Sequence, residues 1–129
     1  MLLLLGAAGL SGAPAEPALD ERLREPFRDL LREARSERSR MEAAGFVVRL
    51  PCGRYVIVRW PEAELPDEAR WEGPWPPGTV AIVHTHPNWM PQPSRIDRAT
   101  AAKCHVDVYV VTSSGVARTA GAEAEVVSW

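Results

Sequence analysis

Cysteine is scarce in this chain, and its two copies, Cys52 and Cys104, are too few to build a disulfide scaffold. Cysteine is among the most often buried residues, so both are expected to be free thiols acting as small core residues. A pairing stays open only if the chain is exported. Neither cysteine stands at a metal-ligand spacing from the other. Positive charge is not in excess either: 15 Lys and Arg face 17 Asp and Glu, a net charge of −2. No basic surface therefore argues for nucleic acid. No apolar run is long enough to span a bilayer, which needs about 20 residues, and no internal repeat or low-complexity tract occurs. What is present is an ordinary globular composition, 46% hydrophobic and 25% charged over 129 residues. That is the length of one domain able to bury a core.

The first fifteen residues carry no charge and are mostly apolar through Leu10. The run has the h-region of a secretory signal, and Ala13-Pro14-Ala15 has the small-residue pattern of a cleavage site. No Lys or Arg precedes it, as a typical signal would have. The reading is a signal peptide over residues 1–15, a mature domain over 16–129, and a periplasmic or secreted location. If the run is not a signal, the chain stays in the cytoplasm.

From Leu19 to about Arg40, Leu19, Leu23, Phe27, Leu30, Leu31 and Ala34 recur at helical spacing. Asp20–Arg24, Glu25–Arg28 and Asp29–Arg32 stand at i,i+3 or i,i+4 on the solvated face. Pro26 either kinks this helix or restarts it at a first turn, and Gly45 reads as its C-terminal stop. Phe46–Leu50 and Tyr55–Trp60 read as two strands about the turn Pro51-Cys52-Gly53-Arg54. Residues 61–78 hold five prolines and no period. They are a long surface connection, either a wall or lid near a site or a plain linker with Trp71 and Trp75 packed on the domain. Arg95–Lys103 reads as a short helix, Val106–Thr112 as a strand, and Val116–Arg118 and Ala124–Ser128 as closing strands.

The informative stretch is Thr79–Asp97. Val80–Val83 is a continuous apolar run, a buried strand. His84 and His86 follow at i and i+2, so both side chains leave one face of that strand. After a Pro-rich loop, Ser94 opens the next helix with Asp97 in its first turn. Two imidazoles and a carboxylate leave a fourth position for water, the arrangement of catalytic and not structural zinc. The competing reading makes the histidines ordinary strand residues and Ser94-x-x-Asp97 no more than a helix capping box. His105 has no spacing that ties it to the others and reads as a structural or surface residue.

His84-Thr85-His86-Pro87 through Ser94-x-x-Asp97 resembles the JAB/MPN metallopeptidases, the JAMM family of zinc-dependent proteases and isopeptidases. The resemblance extends more loosely from about Glu42 to Val108–Thr112. It implies an α/β fold, a mixed β-sheet flanked by helices of the cytidine-deaminase-like kind. It further implies one zinc ion on His84, His86 and Asp97, and a donor role for Ser94 toward the tetrahedral oxyanion. The family's general base is a Glu upstream of the His pair and a few residues before a Gly, a pattern that Glu42-Ala-Ala-Gly45 matches. Glu42 could instead be one more helix-surface charge. The expected function is metallopeptidase or isopeptidase, with a peptide or protein as substrate. The alternative is a catalytically silent MPN-like scaffold.

Overall fold

In the computed structural model, residues 19–36, 43–61, 71–86, 93–120, 123–127 and 129 are described. The helical spacing after Leu19 produces α1, Glu21–Ser36. Asp20 caps it, its Oδ1 accepting from the Arg22 amide at 3.0 Å, which satisfies one of the donors a helix start leaves open. One continuous helix passes through Pro26, so it does not restart there. The proline lacks the N–H that would reach the Arg22 carbonyl, but Leu23, Phe27 and Leu30 on either side of it are buried. Each such burial stabilises by roughly 1.5–3 kcal/mol, which outweighs one missing bond.

Six strands form one sheet in the order β2-β1-β3-β4-β5-β6. They are β1 Ala44–Arg49, β2 Tyr55–Arg59, β3 Thr79–Thr85, β4 Asp107–Thr112, β5 Gly115–Ala120 and β6 Glu123–Val127. Neighbours are antiparallel except β3 and β4, which are parallel. A parallel pair needs a crossover, and α2, Arg95–Cys104, supplies it. The sheet is therefore mixed, as expected.

Alternation along the strands divides the core in two. On one face α1 covers Val47, Ala81, Val83, Tyr109, Val111, Val116 and Val127, with Phe27 edge-on to the Tyr109 ring at 5.1 Å. On the other face Ala101 of α2 packs with Phe46, Val48, Ile82 and Val108. Helix, sheet, helix is a three-layer α/β domain. No helix among the described residues is long and apolar enough to cross a membrane.

Two local expectations are corrected, for Gly45 and for the cysteines, and one, that His105 is a structural or surface residue, holds. Gly45 is not a helix stop; it lies inside β1, paired with Arg59 and Val83. A Cβ there would stand 2.4 Å from Ile57 Cγ2 and 2.9 Å from the Val58 carbonyl oxygen, so glycine is required by the close approach of β2. Cys52 and Cys104 are both free, but Cys52 is exposed in the β1–β2 turn and Cys104 is only half-buried, so neither is a core residue. His105 ends α2 in the left-handed conformation, with φ of 55°. It is exposed there and remote in role from the other two histidines.

Candidate metal centre

His84 is the penultimate residue of β3, placed opposite Ala44 on one side and Val110 on the other. His86 follows the strand end, its amide bonded to the Val111 carbonyl at 3.2 Å. The period of two turns both imidazoles toward the α2 face, and their rings meet edge to face with centroids 4.8 Å apart. Asp97 is the third residue of α2, so the crossover that makes β3 and β4 parallel also returns a carboxylate to the end of β3.

Asp97 does two jobs with two oxygens. Its Oδ2 accepts the Ser94 amide at 2.7 Å while its own amide donates to Ser94 Oγ at 3.1 Å. This reciprocal capping box fixes the start of the helix. Its Oδ1 lies 2.7 Å from His84 Nε2, and Oδ2 lies 3.7 Å from His86 Nε2. The capping box and the cluster, alternatives on sequence grounds, coexist in one carboxylate. Burial pushes the Asp97 carboxyl up. Hydrogen bonds from His84 and His86, the His84 charge and the Ser94 amide overcome that and hold it well below the usual carboxylate range. The positive end of the helix dipole acts in the same sense.

The three side chains each offer a ligand atom, and those atoms lie within 4.8 Å of one another. Tetrahedral ligation at 2.0–2.1 Å sets ligand atoms about 3.3 Å apart. The observed separations bracket that value, and two imidazoles with a carboxylate are a donor set suited to zinc and its neighbours. His84 and Asp97 are each only 8% exposed, which limits solvent competition for the ligands. The group can hold a metal ion.

A model of prokaryotic homologues of the JAB domain matches residues 24–129. The chain belongs to the prokaryotic JAB family. No curated protein matches it significantly.

Within this JAB domain, Glu42 lies outside the described residues. Its neighbour Ala43 is held to Thr85 by two hydrogen bonds. Thr85 and the aromatic group Phe46, Trp60, Trp71 and Trp75 are the parts of this region that motif spacing did not single out. The position of Thr85 between the two histidines, and the aromatic residues on β1, just after β2 and in the segment before β3, were the available signals. A cavity of about 350 Å³ lies elsewhere, on the α1 face between Leu19, Tyr55, Asp107 and Arg118, and contains none of the three ligand candidates.

Proposed function

We propose that this domain is a zinc-dependent hydrolase of amide bonds in peptides or isopeptides. The observation that carries the reading is the convergence of His84, His86 and Asp97 within 4.8 Å on the scaffold of a family that includes such enzymes. Zinc held there would supply a Lewis acid that lowers the pKa of a water in its fourth position.

This chain's own residues have the following roles. His84 and His86 contribute neutral imidazole nitrogens, and Asp97 contributes the balancing negative charge from a carboxylate oriented by its cap. Glu42, one residue ahead of the Thr85 clamp, accepts a proton from the attacking water and returns it to the leaving amine. Ser94 Oγ accepts from the Asp97 amide, which leaves its hydroxyl proton available. A hydroxyl carries one donor and two acceptor sites, so Ser94 can cap the helix and donate to the developing oxyanion together.

The test joins metal analysis to hydrolysis. Purified protein reconstituted with zinc should hold one ion, and His84→Ala or His86→Ala should lose most of it. Glu42→Gln should keep the zinc while hydrolysis of a peptide and isopeptide panel falls by about two to four orders of magnitude. Absence of zinc from wild type after reconstitution would overturn the reading. Full zinc with no hydrolysis by wild type would assign the domain to scaffolding.

A further inference from the structure

The cavity of about 350 Å³ at the start of α1 lies on the face of the sheet opposite the two imidazoles. Its apolar part is built from Leu23, Val47, Ala81 and Val127. Ala81 stands three residues before His84 in β3, about 10 Å along the strand, and packs on the α1 face. The cavity is therefore separate from the metal centre, and the proposed hydrolysis makes no use of it. Its volume is at the low end of the range of about 300–1,000 Å³ usual for small-ligand pockets. That is room for one side chain or a small organic molecule.

The polar part of the wall holds two carboxylates, Asp20 and Asp107, against one guanidinium, Arg118. Their charges are unequally satisfied. Asp20 accepts from the Arg22 amide, Nε and Nη2 at 3.0, 3.1 and 2.8 Å, so its charge is matched. Arg118 forms an ion pair with Glu125, its partner on β6, and a hydrogen bond with the Tyr109 side chain. It too is matched. The Tyr55 ring in the same wall already takes a cation, with the Arg22 guanidinium 4.8 Å from its centroid. Asp107 differs. It is half-buried, two residues from Tyr109 on β4, and so on the same face about 7 Å away. Among the described residues its carboxylate has neither a hydrogen bond nor an ion pair.

We infer that this cavity binds an aliphatic primary amine in its ammonium form, the ammonium pairing with Asp107 and the carbon chain lying on Leu23, Val47, Ala81 and Val127. An anionic ligand would have to compete with Glu125 for Arg118 and would stand beside the unmatched Asp107 charge. A neutral chain would fill the apolar part but would take water from the Asp107 carboxylate without replacing it. An ammonium on an alkyl stem satisfies both parts, and charge-assisted hydrogen bonds are the stronger kind. A lysine side chain and a free alkylamine share this chemistry. The inference stands apart from the hydrolase reading.

The probes are n-hexylamine, n-hexanol and hexanoate, which share a carbon chain and differ in head group. An end-blocked pentapeptide with a central lysine and its Nε-acetylated form make a second arm. Calorimetry at neutral pH should show hexylamine binding about tenfold tighter than hexanol or hexanoate. Asp107→Asn should bring hexylamine to the level of hexanol, with Tm and zinc content unchanged. Ala81→Val, which adds two carbons to the cavity wall, should weaken every probe that binds; if that variant does not fold, Asp107→Asn alone decides. Binding of the lysine peptide but not its acetylated form would make a protein lysine the ligand, and binding of hexylamine without the peptide would make it a free amine. No binding of any probe, equal affinity for the three head groups, tighter binding of hexanoate, or a preference kept by Asp107→Asn would overturn the inference. So would affinities untouched in a folded Ala81→Val variant.

Discussion

Thr85 holds Ala43 at two points, donating its amide to the Ala43 carbonyl at 2.8 Å and accepting the Ala43 amide on Oγ1 at 3.0 Å. Both groups are buried, Thr85 at 2% exposure. The side chain between the two histidines faces the other way from them and fixes the first described residue after Glu42.

Thr85→Val keeps the shape of the side chain and removes the acceptor. It leaves a buried N–H unpaired, at a cost of about 1–3 kcal/mol. If Thr85 positions the base through Ala43, kcat should fall while KM and zinc content hold, and Thr85→Ser should restore most of the rate. A purely structural role would lower Tm in the valine variant and leave kcat per folded molecule unchanged.

Gly45→Ala should destabilise the domain by about 1–3 kcal/mol, the usual range for forcing an extra carbon into a packed site. Ile57 can rotate away, but the Val58 carbonyl at 2.9 Å belongs to the backbone and can yield only if β2 shifts. Urea unfolding gives the measurement. An unchanged midpoint would mean that β2 moves freely at this edge.

Much of this arrangement was legible in the sequence because it is local. The spacing of His84 and His86 fixes their common face, and Ser94-x-x-Asp97 fixes the cap, so the convergence of His84, His86 and Asp97 followed from short-range pattern in the chain. The fold class followed from the same kind of pattern, with strand limits within about two residues. What was illegible depends on partners distant in sequence. Gly45 carries the signature of a helix end, and only the approach of Ile57 and Val58 reveals it as a strand residue. Cys52 has the composition of a core residue and the position of a turn. Pro26 signals a break that the burial of Leu23, Phe27 and Leu30 overrides. Trp60 and Trp71 were visible as aromatics, but their grouping about Phe46 required the β1–β2 register.

Tyr109 gives the domain an alkaline limit. Burial raises its phenol pKa, Arg118 alongside lowers it, and the charges of Asp107 and Asp20 raise it, with a net upward shift. The folded state thus keeps the proton where the unfolded chain, near pH 10, releases it. The stabilisation is fully present below about pH 10 and is lost as pH rises through the folded pKa. In a Tyr55→Phe background, which leaves Tyr109 as the one tyrosine, phenolate absorbance should appear above pH 10 and later than in urea-unfolded protein. Coincident titration curves would refute the shift.

Residues 1–15 lie outside the described residues, and export is proposed on their composition alone. Expressed in a secreting bacterial host, the protein should accumulate in the periplasm or medium with Glu16 as its first residue, which intact-mass measurement reads directly. A full-length cytoplasmic chain would reject the signal reading and leave the JAB domain, matched from residue 24, unaffected.

Asp97 allows capping and ligation to be separated. Asp97→Asn retains an oxygen that can accept the Ser94 amide and the amide that donates to Ser94 Oγ, so α2 should keep its start. It loses the negative charge and the carboxylate oxygens, and zinc should be held poorly by the two remaining imidazoles. Asp97→Ala loses both functions, and the missing side-chain cap should cost about 0.5–2 kcal/mol beyond the asparagine variant. The comparison belongs in metal-free protein, where zinc does not contribute to stability, followed by zinc titration of each variant. Two variants equally unstable without metal would show that Asp97 contributes to α2 through its charge at the helix start and its contacts with His84 and His86, and not through the capping bond. An asparagine variant that bound zinc as tightly as wild type would remove Asp97 from the ligand set, leaving His84 and His86 without the carboxylate that the proposed centre requires.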